Sequence, residues 1–154
     1  MLNRLLPRSL DNAYRGFKPA LWIFGLVVLM RTVIAVNSIF NGYAVMTMAD
    51  GIPLDTFAAG ASQSLVSLWA LMSVGNLTLS LLCIVALVRY RAMIPMLFSL
   101  LLFQLLAREL VSRFLPLYRV GAPPASAINL TFLVLTVVGL ALSLGGAGKL
   151  QRAE

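Results

Sequence analysis

Arg31 is the residue whose placement most demands a chemical reason. It lies eleven positions after Ala20 in an otherwise apolar run, which is about 16 Å along a helix at about 1.5 Å per residue. That depth is near the middle of a bilayer, where an arginine costs roughly 2.5–3.5 kcal/mol on insertion scales. Its guanidinium has only donors and needs oxygen acceptors, and side-chain amides supply these without a second charge. Asn76 and Gln104 fall at comparable depths in two further apolar runs, so Arg31, Asn76 and Gln104 are expected to form one polar layer. On a wheel of about 100° per residue, Ser38 shares the face of Arg31, and Asn41 lies further round. Gln104, Arg108 and Ser112 follow one another at i, i+4 spacing and share a face of their own helix.

Glu109 is the one acid inside an apolar run, and Arg113 stands four residues on as its natural partner. Arg31, Arg108 and Arg113 against Glu109 leave a surplus of positive charge. Asp50 and Asp55, in the first loop, can fold down to neutralise it. Otherwise the surplus suits an anionic headgroup, a quinone-like carbonyl or a carboxylate. A structural role competes at each position. Amides in membrane bundles often serve as interhelical hydrogen bonds, each worth about 0.6 kcal/mol. Arg108, Glu109 and Arg113 can simply mark an interface where headgroups satisfy them. For Arg31 the competitor is a buried structural ion pair.

Other chemistry is thinly provided. The chain has no histidine and a single cysteine, Cys83, which removes most metal, haem and thiol-redox options. General acid–base catalysis without histidine would rest on Glu109 alone. The expectation is a protein without metal or cofactor and without enzymatic activity. Nucleic-acid binding is not expected either, because the net charge of +7 is mostly a matter of membrane topology.

The elements that must position these residues follow from composition. The chain has 154 residues, 60% hydrophobic and 11% charged, whereas a soluble domain carries about 25% charged residues. The mean hydropathy is +0.94. A crossing of the bilayer core takes about 20 helical residues, and four segments qualify: about 20–43, 64–88, 92–115 and 127–144. Pro19 suits the start of the first and Gly145-Gly146 the end of the fourth. In the third, Met93–Leu106 is apolar and the remainder carries charge up to Phe114. The fold class is therefore all-α, a polytopic membrane four-helix bundle.

Lysine and arginine set the orientation. Arg4, Arg8, Arg15, Lys18, Arg89, Arg91, Lys149 and Arg152 fall on one side, and Arg119 alone falls in the opposite loops. Both termini are expected in the cytoplasm. Residues 1–19 read as a basic amphipathic interfacial segment with Leu2, Leu5, Leu6, Leu10 and Phe17 toward lipid and arginines on anionic headgroups. Residues 20–145 form the bundle and 146–154 a cytoplasmic tail. Ala49–Asp55 has turn chemistry, and Gly121 with Pro123-Pro124 should make a stiff, non-helical loop. Gly139, Ser143 and Ala147, spaced by four, and Gly25 and Gly75 within spans permit close helix approach, chiefly inside the bundle.

The stretches Leu5-Leu6-Pro7-Arg8 through Ala20-Leu21-Trp22, Asn37-Ser38-Ile39-Phe40-Asn41-Gly42 and Ala49-Asp50-Gly51-Ile52-Pro53-Leu54-Asp55 resemble small four-helix bacterial inner-membrane proteins of an uncharacterised family. Arg31 in the first span with Gly42 downstream also resembles the DoxX-like family of four-span proteins. Either resemblance implies a multi-pass protein of the bacterial inner membrane, with the mitochondrial inner membrane as the alternative, and neither implies an activity. A bundle of the vitamin K epoxide reductase type is excluded, since its redox chemistry needs paired cysteines. The leading functional expectation is an accessory subunit beside a larger membrane complex or in a homo-oligomer. The other is a binder or carrier of an anionic or amphiphilic molecule or membrane lipid that uses the intramembrane arginines.

Overall fold

The chain is described by a computed structural model over residues 12, 14, 16–121 and 123–145. The expected interfacial segment and the tail fall almost wholly outside these residues. The described residues form four long helices: α1 Lys18–Phe40, α2 Ala59–Arg89, α3 Ile94–Phe114 and α4 Pro124–Gly145. Each is long and apolar enough to cross a membrane. In lipid every backbone polar group must be satisfied within the protein, and a helix does this with its own ladder. The chain is all-helical among the described residues, with the architecture of a multi-pass membrane protein.

Local chemistry sets the helix ends, and several differ from the sequence expectation. Pro19 and Pro95 occupy the first turns of α1 and α3, where a missing N–H costs nothing. Pro124 likewise opens α4, so the Pro123-Pro124 pair is not wholly loop: its second member is helical. α1 stops at Phe40, short of the expected Tyr43, because Asn41 leaves the helical region at φ −122°, ψ 35°. A helical turn, Gly42–Ala44, and a wide π turn, Val45–Ala49, follow. α2 begins at Ala59 and has 31 residues, so it projects beyond the expected span 64–88 and shortens the first connection. Tyr90–Met93 makes the tight link between α2 and α3.

Packing divides the bundle along its length. α1 lies against α2 and α4, and α3 packs mainly on α4, touching α1 and α2 sparingly. The chief core gathers Ala20, Phe24, Val27, Val28, Cys83, Ala86, Ile94, Leu97, Phe98, Leu101 and Phe132. Most of these come from the start of α1, the end of α2 and the start of α3, so the core fills the end of the bundle that carries Lys18 and Gly145. Phe24 and Phe98 meet edge to face at its centre, with ring centroids 5.0 Å apart. Gly139 is buried under the Phe98 ring, and an added Cβ would overlap that ring and approach Ile23 Cγ2 to 3.2 Å. Ser143, four residues on, is also buried. A Cβ added at Gly25 would stand 3.5 Å from Leu87 Cδ2, whereas one at Gly75 would meet nothing, so Gly75 brings no helix closer. The outward leucines, valines and phenylalanines are ordinary here, because lipid tails solvate them as well as a core would.

A second, smaller core closes the opposite end. Met46, Ile52 and Leu54 pack with Leu65, Val66 and Trp69 to form a cap. The two loops at this end are joined: Val120 N–H donates to Gly51 C=O at 2.8 Å. Gly51 reaches this contact at φ +70°, and a Cβ there would stand 3.0 Å from Val120 O. A left-handed conformation costs a side-chain-bearing residue about 1–2 kcal/mol. Gly51→Ala is therefore expected to lower thermal stability in detergent by at least that amount, while Gly60→Ala, in open space, should not. Equal melting of the two variants would contradict the loop clamp.

Candidate functional site

The polar residues of the spans sort into two kinds. Most hydroxyls bond back to their own helix: Thr32 to Val28 C=O at 2.8 Å, Ser73 to Trp69 C=O at 2.8 Å and Ser80 to Asn76 C=O at 3.0 Å. Such bonds satisfy the hydroxyl locally and tie nothing together across helices. Arg31, Gln104 and Asn76 behave differently. Arg31 Nη2 donates to Gln104 Oε1 at 2.6 Å, and Gln104 Nε2 donates to Asn76 Oδ1 at 2.8 Å. This relay crosses from α1 through α3 to α2, the helices that otherwise touch α3 least. It lies just beyond the aromatic core, where packing becomes sparse.

Gln104 is suited to the middle position because one amide both accepts from the guanidinium and donates onward. A charged donor makes the first bond short and strong. Arg31 is half-buried, and its recorded partner is neutral. Among the described residues no carboxylate comes within ion-pair distance of it; the ion pair there is Arg113 Nε with Glu109 Oε1 at 3.4 Å. Those two side chains are 76% and 66% exposed, so the pair contributes little to stability. Glu109 does not receive Arg31, and among the described residues no buried ion pair holds the guanidinium.

Arg108 is exposed on α3, one turn beyond Gln104, and acts electrostatically on both Arg31 and Asp50. Ser38 is buried on α1 but makes none of the relay bonds. Asn41 is not brought into the layer. It has left α1, and its amide donates to Asn37 Oδ1 at 2.8 Å on an exposed edge. The two acids of the first connection part company. Asp55 stays exposed and accepts a bond from the Tyr43 hydroxyl, whereas Asp50 folds inward to 4% exposure, facing the charges of Arg108 and Arg119.

Further polar groups are buried away from this layer. Asp50 Oδ1, Arg119 Nε and Trp69 Nε1 are buried without a hydrogen-bond partner in the cap, as is Thr136 Oγ1 within α4. In the sequence Arg119 reads only as a loop charge and Trp69 as an apolar residue near a span end. A threonine in a span carries no warning, because it ordinarily bonds its own backbone.

Burial raises the Asp50 carboxyl above its usual 3.8, with Arg108 and Arg119 pulling the other way. A raised folded-state value means that the ionised form is disfavoured in the fold. Its cost is present at neutral pH and fades as pH falls through the folded value toward 3.8. Asp50→Asn should therefore melt higher than the wild type at pH 7.5 in detergent. The gap should narrow as the buffer is made acidic. A gap that widens with acid would show that the ionised carboxylate stabilises the cap.

Fold and polar layer together define a multi-pass membrane protein, all-helical among the described residues, whose three-helix junction is crossed by an arginine–amide relay. No protein family, curated protein or solved structure matches the chain.

Proposed function

We propose that this protein binds the anionic group of an amphiphilic molecule or membrane lipid, with Arg31 as the anchoring cation. One observation carries the reading: a half-buried guanidinium at mid-span is compensated by a neutral amide and, among the described residues, by no carboxylate. A charge placed there for structure alone gains most from a partner of opposite sign. A guanidinium left with a net charge and spare donors suits a planar carboxylate or a phosphate. α3 touches α1 and α2 sparingly, and the exposed Arg108 stands one turn beyond Gln104 on α3, so a second cation is near the relay. The protein acts as a binder or carrier and not as a catalyst. Its setting is the bacterial inner membrane, with both termini in the cytoplasm.

A second reading, an accessory subunit of a larger membrane complex, draws on the outer surface of α1. There a shallow groove of about 340 Å³ is lined by Thr32, Val33, Val36, Asn37, Phe40 and Asn41, a mixture suited to a partner's span. Native mass spectrometry of the full chain, released gently from its own membrane, separates the two. A single chain or homo-oligomer retaining an anionic amphiphile supports the binder. A heteromeric mass without such a ligand supports the accessory subunit and overturns the binder.

A further inference from the structure

The cap holds a second polar site, separate from the Arg31 layer. Asp50 and Arg119 sit on loops fastened together by the Val120–Gly51 hydrogen bond. Arg119 acts electrostatically on Asp50, yet they make no ion pair within contact distance, and Asp50 Oδ1 and Arg119 Nε are both buried without a partner. Asp50 is nine-tenths or more buried, so its carboxylate is a built feature of the cap and not a solvated surface charge. Leaving a buried acceptor and a buried donor unmade is costly. A partner that offers both a donor and an acceptor removes both costs.

The local charges narrow the partner further. Arg119 stands on the loop joined to that of Asp50, and Arg108 adds positive charge at longer range. A bare cation would meet the arginines, and a bare anion would meet the carboxylate. A zwitterion satisfies both, with its ammonium on Asp50 and its anionic end on the guanidinium groups. The cap stands where α1 and α3 end and α2 and α4 begin, and the end of a membrane-spanning bundle is where headgroups are met. We infer that Asp50 and Arg119 form a site for a primary ammonium joined to a phosphate, the chemistry of a phosphoethanolamine headgroup. A primary ammonium donates N–H bonds to the Asp50 carboxylate, whereas a quaternary one has none to give. This site does not depend on the role assigned to Arg31.

The test uses the full-length protein in phosphatidylcholine nanodiscs at pH 7.5. Phosphatidylethanolamine or phosphatidylglycerol of matched chains is added, and retained lipids are counted by native mass spectrometry. The wild type should retain the ethanolamine lipid over both others by roughly tenfold, the worth of one charge-assisted bond in a buried site. Asp50→Asn, which keeps the side-chain shape, should lose the preference over the glycerol lipid. Arg119→Gln should weaken retention of both. Arg31→Leu should lose any glycerol lipid held at the Arg31 layer and keep the Asp50-dependent retention of the ethanolamine lipid, so failure of this site and failure of the Arg31 reading are told apart. Soluble O-phosphoethanolamine in a parallel arm identifies the source: retention of the lipid points to the membrane, and protection from unfolding by the soluble compound alone points to a free metabolite, each in keeping with the site. No headgroup preference in the wild type together with no effect of the soluble compound would overturn the inference. So would a preference that survives Asp50→Asn in a variant that melts as a folded protein.

Discussion

Arg31→Leu should leave the bundle as stable as the wild type or more so, whereas Gln104→Leu should weaken it sharply. The asymmetry follows from the order of the relay, Arg31 to Gln104 to Asn76. Removing the arginine relieves a membrane cost of roughly 2.5–3.5 kcal/mol. It leaves Gln104 Oε1 without its donor, at about 1–3 kcal/mol, while the Gln104–Asn76 bond survives. Removing Gln104 instead strands a charged guanidinium and breaks both bonds, the situation that costs about 3–5 kcal/mol in buried ion sites. The double variant Arg31→Leu/Gln104→Leu should recover most of the loss, because the stranded charge is gone. Thermal melts of the three variants in one detergent provide the cycle. If both single variants fell equally and the double fell by their sum, the two residues would be energetically independent and the relay would have no weight.

Gly139→Val should be the most damaging substitution in the aromatic core. A Cβ at this position already overlaps the fully buried Phe98 ring and crowds Ile23. Phe98 cannot swing aside without leaving its edge-to-face contact with Phe24. Overpacking a filled core typically costs about 1–3 kcal/mol, and here the obstacle is a rigid ring, so the upper end or beyond is expected. A milder pair checks the mechanism. Gly139→Ala and Phe98→Leu should each destabilise, the first by overlap and the second by leaving a void, but together they should lose less than the sum. Strict additivity would place the cause of the Gly139 effect somewhere other than the α3–α4 contact.

Much of this architecture is legible in the residues because the bilayer is a simple solvent. It demands about 20 apolar residues per crossing and admits helices as the economical way to satisfy the backbone. Runs of leucine, valine and phenylalanine therefore locate the spans to within a few residues. Their ends are less legible, since Asn41 and Pro124 act through backbone geometry that hydropathy does not register. The meeting of Arg31, Asn76 and Gln104 follows from depth counting, because polar groups in lipid have few places to go. Counting depth does not give direction, however. Asn41 has the right type and nearly the right height, yet it belongs to a turn beyond the helix and pairs with Asn37.

The cap is where sequence reading stops. Asp50 and Asp55 lie in one short stretch with similar neighbours, and only the three-dimensional path sends one inward and leaves the other exposed. That path depends on Gly51 at positive φ and on a contact with Val120, a residue far along the chain. Long-range loop pairing of this kind leaves no periodic signal. The burial of Trp69 against Met46, Ile52 and Leu54 is hidden for the same reason. The small-residue spacing of α4 was informative at Gly139 and Ser143, which face inward, and uninformative at Gly75 on α2, which faces open space.

The central claim is that Arg31 is present to bind an anion and not to hold the fold. The most direct measurement titrates dodecyl phosphate into the full-length protein in uncharged phosphatidylcholine nanodiscs and follows binding by calorimetry for wild type, Arg31→Lys and Arg31→Leu. Binding should be saturable in the wild type. It should fall by roughly tenfold in Arg31→Lys, which keeps the charge but loses the planar fork. In Arg31→Leu it should vanish while the melting temperature holds. Equal affinity in the wild type and Arg31→Leu, or loss of folding in Arg31→Leu, would contradict the claim and return Arg31 to a structural role.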